Sequence, residues 1–150
     1  PHLREIVEKA VRSWPTDVLL VSDEQQKRAS FDAATAALAA SGTVALELGL
    51  ARVPMVVAYR AEALVGWFAL NVLKIPSVVL VNLILDRPSV REYLHNRCTP
   101  KELLEGLRPL MTDTPERTRA LADFDEMRVR MGIGGEPPSR RAAKAVLELL

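Results

Sequence analysis

Ser41-Gly42-Thr43, with Glu47 four positions after Thr43, has the residue types and spacing of an anion cradle. A glycine lets the backbone approach a ligand closely, and the first-turn N–H groups of a helix have no partner inside it, so a small-residue turn that opens a helix aims donors at a phosphate. Glu47 falls on the same helix face one turn on, about 6 Å along the axis, where its carboxylate can accept hydrogen bonds from ribose hydroxyls. The same residues also suit plainer roles, since such turns open many helices and Glu47 reads equally as a solvated surface carboxylate. Arg60 and Arg87 offer planar donor forks that match diphosphate oxygens, although both also fit a solvated surface. Tyr59 can stack on a base or sugar ring, or end a strand with its hydroxyl in water.

Other chemistries find less support. Ser41, Asp86 and His95 do not make a hydrolase, because no nucleophile-elbow pattern surrounds Ser41. Asp23-Glu24 and the Glu102/Glu105 pair are explained by solvation and helix capping. Cys98 is the single cysteine, which excludes an internal disulfide, and His2 and His95 have no partners at metal-ligand spacing, so neither metal nor cofactor is expected. A net charge of +1 supplies no field for nucleic acid. With 49% hydrophobic and 26% charged residues, the 150-residue chain has the composition of a folded domain with a real core.

The elements that must position the cradle alternate. Leu3, Ile6, Val7, Ala10 and Val11 repeat at helical spacing, and Val18 to Val21 reads as a buried strand. A short helix follows Asp23, Thr35 to Ala40 reads as a strand, and Thr43 to about Ala51 as a helix. Pro54 to Tyr59 is the next strand, Glu62 to Leu73 a crossover helix, and Ser77 to Val81 a further strand ended by a loop at Asn82-Leu83. This alternation predicts an α/β fold, a Rossmann-like parallel sheet with helices on both faces. Ligands of such sheets lie beyond the carboxyl ends of the strands, so Ser41-Gly42-Thr43, Tyr59-Arg60 and Asn82-Leu83 are expected to share one crevice. Thr99-Pro100-Lys101-Glu102 is a capping box that opens a helix, Thr114-Pro115 opens another to about Met131, and Ser139 is expected to cap a last one over 140–150. Residues 1–131 are expected to form one ligand-binding domain, and 132–150 a hinge and a terminal crossover helix. No window reaches the length of a membrane-spanning helix, while the apolar run around Trp67-Phe68 suits burial or, alternatively, contact with lipid at a membrane surface.

The stretch Ala40 to Glu47, followed by Val53 to Arg60 and then Val81-Asn82-Leu83-Ile84-Leu85-Asp86-Arg87, resembles the C-terminal half of lipid-A-disaccharide synthase, an inverting glycosyltransferase of the two-domain GT-B type. The resemblance runs from about Asp32 to Leu110. It implies a UDP-sugar site with Ser41, Gly42 and Thr43 at the diphosphate, Glu47 at the ribose, and Tyr59, Arg60, Asn82, Leu83 and Arg87 completing the donor site. It implies that the whole enzyme joins UDP-2,3-diacylglucosamine to 2,3-diacylglucosamine 1-phosphate in lipid A biosynthesis, a hexosyltransferase reaction in the cytoplasm or at the periphery of the inner membrane. The acceptor site and general base would then belong to an N-terminal half, which agrees with a chain that opens on Pro1 and reads as a piece of a longer polypeptide. Such a piece is expected to bind UDP without turnover, and its last helix to pack on a second copy or to fray. Two departures stand out: Asp86 where the family has glycine and His95 where it has glutamine. Rival readings are a related GT-B enzyme, such as the lipid II glucosaminyltransferase or a UDP-sugar epimerase, and a non-catalytic nucleotide-binding module.

Overall fold

The run Met55-Val56-Val57 is apolar and β-branched, as a strand covered on both faces must be, and in the computed structural model all three residues are buried. The structure describes residues 2–40, 42–60 and 76–148. Strand β2 (Met55–Tyr59) lies between β1 (Ala37–Ala40) and β3 (Arg91–Leu94) in a three-stranded sheet, parallel throughout. Ala40 stands opposite Ala58, and Tyr59 opposite Leu94. The α/β, Rossmann-like reading holds.

The chain divides into two units, Pro1–Ala33 and Ala34–Leu150. The first contains α1 (His2–Val11) and α2 (Glu24–Ala33), with an Arg4–Glu8 ion pair of 2.8 Å one turn apart on α1. Asp23 caps α2, its carboxylate accepting from the Gln26 amide at 2.8 Å. Val18 to Val21, expected as a strand, pairs with no other strand among the described residues, and Leu19 is 83% exposed. A strand exists only through its neighbours, and nothing in this small unit supplies one.

In the second unit α3 (Thr43–Leu50) packs against β1 and β2 and touches α4 (Leu80–Leu85) and α6 (Pro115–Arg130). The approach depends on Gly49: a Cβ there would lie 3.1 Å from Met127 Cε and 3.2 Å from Val81 Cγ2. Val81, Leu85, Phe124 and Met127 are fully or almost fully buried in this layer. Tyr93, Leu110 and Val56 form a second cluster with Leu103 and Leu107 of α5 (Pro100–Leu107). Helix α5 begins with the expected capping box, the Thr99 hydroxyl oxygen accepting from the Glu102 amide at 3.3 Å. Helix α6 opens in the same way at Thr114.

Three expectations are corrected. Ser77 to Val81 is not a strand: the Ser77 hydroxyl oxygen accepts from the Val79 amide and Glu92 Oε2 from the Val78 amide, both at 3.0 Å, so these N–H groups lead into α4 and not into a sheet. The position beside β2 is taken by Arg91–Leu94. Asn82 therefore sits within a helix and not in a loop. Lastly, α7 (Pro138–Leu147) starts two residues early, with Pro137 at its cap position and no side-chain cap, which leaves Ser139 inside the first turn. Ser41, and the helix expected over Glu62 to Leu73 with Trp67 and Phe68, fall outside the described residues.

Candidate functional site

Beyond the carboxyl end of β1 the chain turns at Gly42, with φ 121° and ψ −159°. That region of backbone space is closed to residues with a Cβ, so the glycine is required by conformation alone. No heavy atom lies within 4 Å of where a Cβ would stand. Gly42 is the cap residue of α3, and no side chain among the described residues caps this helix. Thr43 is exposed, and Glu47 is half-buried one turn later.

The other two parallel strands end on the same side of the sheet as this turn. Two residues beyond the Ala40/Ala58 pair come Gly42 and Arg60, and one residue beyond Tyr59/Leu94 come Arg60 and His95. Gly42, Arg60 and His95 thus follow the carboxyl ends of the three parallel strands, two, one and one residues on. Tyr59 and Arg60 are exposed. Thr43, Tyr59, Arg60 and His95 make no side-chain hydrogen bond or ion pair among the described residues. These groups are available to a ligand.

Asn82, Leu83 and Arg87 lie elsewhere. The Asn82 side chain grips Val90, the residue before β3, accepting from its N–H at 2.7 Å and donating to its carbonyl at 2.9 Å. It also donates to Glu92 Oε1 at 2.7 Å. This puts Asn82 at the amino end of β3, roughly 16 Å of extended chain from His95. Asn82, Leu83, Asp86, Arg87, Ser77 and Glu92 line a cleft of about 300 Å³ of their own.

Arg87 is already occupied. Its guanidinium donates to Glu126 and to Asp123 Oδ1, the latter at 2.6 Å, and Ser89 Oγ donates to Asp123 Oδ2 at 2.6 Å. Arg130 completes the cluster at 2.6 Å from Glu126. The hydrogen bond from Arg87, aided by one from Arg130, holds the Glu126 carboxyl below its ordinary range. The same contacts to Glu126 and Asp123 raise Arg87 still further into its charged form. Asp86, at the end of α4, has a left-handed backbone (φ 55°, ψ 36°), a conformation that favours glycine there for reasons of backbone geometry.

Sequence reasoning missed β3, and with it the place of His95 at the carboxyl end of a strand. The signal lay in Arg91-Glu92-Tyr93-Leu94, a polar and apolar mixture whose Tyr93 is buried and whose Arg91 is exposed.

The family model described as lipid-A-disaccharide synthetase matches residues 2–134. The chain is similar to the lipid-A-disaccharide synthase of Nitrobacter hamburgensis, 47% identical over 150 residues, covering 100% of this chain and 38% of that protein. It is likewise similar to those of Rhodopseudomonas palustris strain HaA2 and Rhodospirillum centenum, each 43% identical over 150 residues and all of this chain, with 38% and 37% of the relatives covered. The chain thus spans well under half the length of the curated relatives it matches.

Proposed function

Because the chain belongs to the lipid-A-disaccharide synthetase family, we propose that it is the donor-binding portion of a longer glycosyltransferase and holds UDP-2,3-diacylglucosamine. The whole enzyme transfers the diacylated sugar from UDP to 2,3-diacylglucosamine 1-phosphate, with inversion, at the cytoplasmic face of the inner membrane. The observation that carries this reading is the Gly42 turn, which opens α3 at the carboxyl end of β1 with no side-chain cap among the described residues. The amides after Gly42, with Ser41 and Thr43, receive the diphosphate, Arg60 neutralises it, Glu47 accepts from the ribose hydroxyls, and Tyr59 stacks on a ring of the ligand. Donors fixed where charge develops on the leaving UDP lower the barrier to breaking the glycosidic bond. Asn82 and Arg87, with Leu83 beside them, act at one remove by bracing α4 and the start of β3 against α6.

On this reading the acceptor site and the general base lie in residues outside this chain, so the chain binds UDP without turning over. Titration calorimetry with UDP tests it: the chain binds, and Glu47→Ala weakens binding by roughly 1 to 3 kcal/mol through loss of a charged acceptor. Heat signals identical in both proteins would remove Glu47 from the site. The exposed Val146 and Leu147 of α7 belong, in the same proposal, to an interface with a second copy, read as concentration-dependent sedimentation that truncation at Gly135 abolishes.

A further inference from the structure

The two ends of α3 are built differently. Its amino end, at Gly42, carries no side-chain cap among the described residues. At its carboxyl end the Val53 amide donates to the Leu48 carbonyl at 2.9 Å and the Arg52 amide to the Gly49 carbonyl at 3.0 Å, the paired bonds that close a helix on a left-handed residue. That residue is most often glycine, yet here it is Arg52, with φ 60°. A side chain with a Cβ costs free energy in this conformation, and such strain is kept only where the surroundings fix it. The Arg52 guanidinium meets the Asp125 carboxylate of α6 through two bonds, Nε to Oδ1 at 2.9 Å and Nη2 to Oδ2 at 3.0 Å. From the next turn of α6, Arg128 Nη1 donates to the carbonyl of Leu50, the last residue of α3. The final carbonyls of α3 are thus taken, two by backbone amides and one by a cation.

The Arg52–Asp125 pair does little for stability by itself, since its side chains are 50% and 53% exposed and water screens an ion pair of that kind. What it supplies is geometry. A planar fork on a carboxylate fixes orientation as well as distance, and the Arg128 bond fixes a second point, so α3 resists both sliding along α6 and turning about its own axis. Eight residues make a rod about 12 Å long, short and stiff enough for a shift at Leu50 to reach the first turn. Cations at the carboxyl end also offset the negative pole of the helix, which leaves the amino end more attractive to an anion. We propose that Arg52 and Arg128 are positioning residues for the nucleotide diphosphate: without touching it, they anchor α3 on α6 and so set the aim of the first-turn amides that receive it. The inference rests on the donor-site reading above.

Arg52→Gly separates aim from stability, because glycine takes φ 60° freely and this backbone gain offsets the lost ion pair. The variant is expected to melt within about 2 °C of wild type. In calorimetric titration it should nevertheless bind UDP about two- to fivefold more weakly, the range of one exposed charge pair. Asp125→Ala gives the same loss, and the double variant adds nothing to it, since both changes break one contact. Arg52→Lys, which keeps the cation, recovers part of the affinity. Arg128→Met weakens UDP by about three- to tenfold, the range of a hydrogen bond from a charged donor. Arg87→Met is the control: it frees other side chains of α6, lowers the melting temperature and leaves UDP affinity unchanged. Wild-type affinity in Arg52→Gly, or affinities that merely follow melting temperature across the set, would overturn the inference. A wild-type chain that binds no UDP would overturn the donor-site reading, and the inference would fall with it.

Discussion

Replacing Gly42 by alanine separates conformation from contact. A Cβ at this position would meet nothing within 4 Å, so the substitution causes no clash and its whole effect is on a backbone with φ 121° and ψ −159°. Forcing a residue with a Cβ into that region costs roughly 1 to 3 kcal/mol. The chain relieves the strain by rotating the peptide that leads into α3, which swings the first-turn amides off their aim. If all of that cost falls on the ligand-bound conformation, UDP affinity drops by about 5- to 150-fold. If it falls on folding, the melting temperature drops by roughly 2 to 4 °C for each kcal/mol in a chain of this size. Gly134 provides the control: it too has a positive φ, 88°, with nothing within 4 Å of its Cβ position, but it lies in the turn after α6. Gly134→Ala is expected to lower the melting temperature and leave UDP binding alone. Calorimetric titration with UDP and a thermal melt on both variants decide the matter. A Gly42→Ala protein that melts lower yet binds UDP as tightly as wild type would refute the argument that this turn presents the phosphate donors.

Arg87→Met is expected to lower the melting temperature, because it strips Asp123 and Glu126 of their shared cation, while UDP affinity stays unchanged; a selective loss of UDP binding would return Arg87 to the phosphate site. Glu126 has its carboxyl pKa depressed in the folded state, so its contribution is present above the unfolded-state value near 4.5 and is lost as pH falls through the folded value. The melting-temperature gap between wild type and Glu126→Gln is accordingly expected at pH 7 and should close as pH falls through the depressed carboxyl value, and a gap independent of pH would contradict the assignment. Gly106→Ala puts a Cβ 2.8 Å from Tyr93 Cζ and 2.9 Å from Cε2, an overpacking cost of about 1 to 3 kcal/mol measurable by urea unfolding. Tyr93→Phe in the same protein recovers only part of it, since the ring carbons and not just the hydroxyl are in the way.

The elements that sequence made legible are those whose signals are local. Thr99 and Thr114 announce their helices through hydroxyl caps followed by proline, and Gly42 marks the one turn that its φ demands. Where tertiary pairing decides, local pattern failed. Val78, Val79 and Val81 have the β-branched character of a strand, yet Ser77 and Glu92 capture the Val78 and Val79 amides and the segment continues as α4. Arg91 to Leu94, with two charged residues in four, becomes a strand because β2 offers it a ladder. This exchange of one strand for another put His95, and not Asn82, at the carboxyl end of the third strand. Arg87 illustrates a different limit: an arginine's partners, here two carboxylates 36 and 39 residues away, are invisible until the chain folds.

The grip of Asn82 on Val90 also bears on how the molecule behaves in a crowded solution. A primary amide carries one carbonyl and one N–H₂ in the same geometry as a peptide group, and Asn82 spends both on the backbone of a single residue at the mouth of β3, the last strand on that side among the described residues. A side chain thus occupies hydrogen-bonding groups that an incoming strand would otherwise recruit, and the sheet margin is blunted against edge-to-edge stacking. An Asn82→Leu protein, nearly equal in bulk, would keep the helix but bare those groups, and its first symptom should be light scattering that grows with time and concentration.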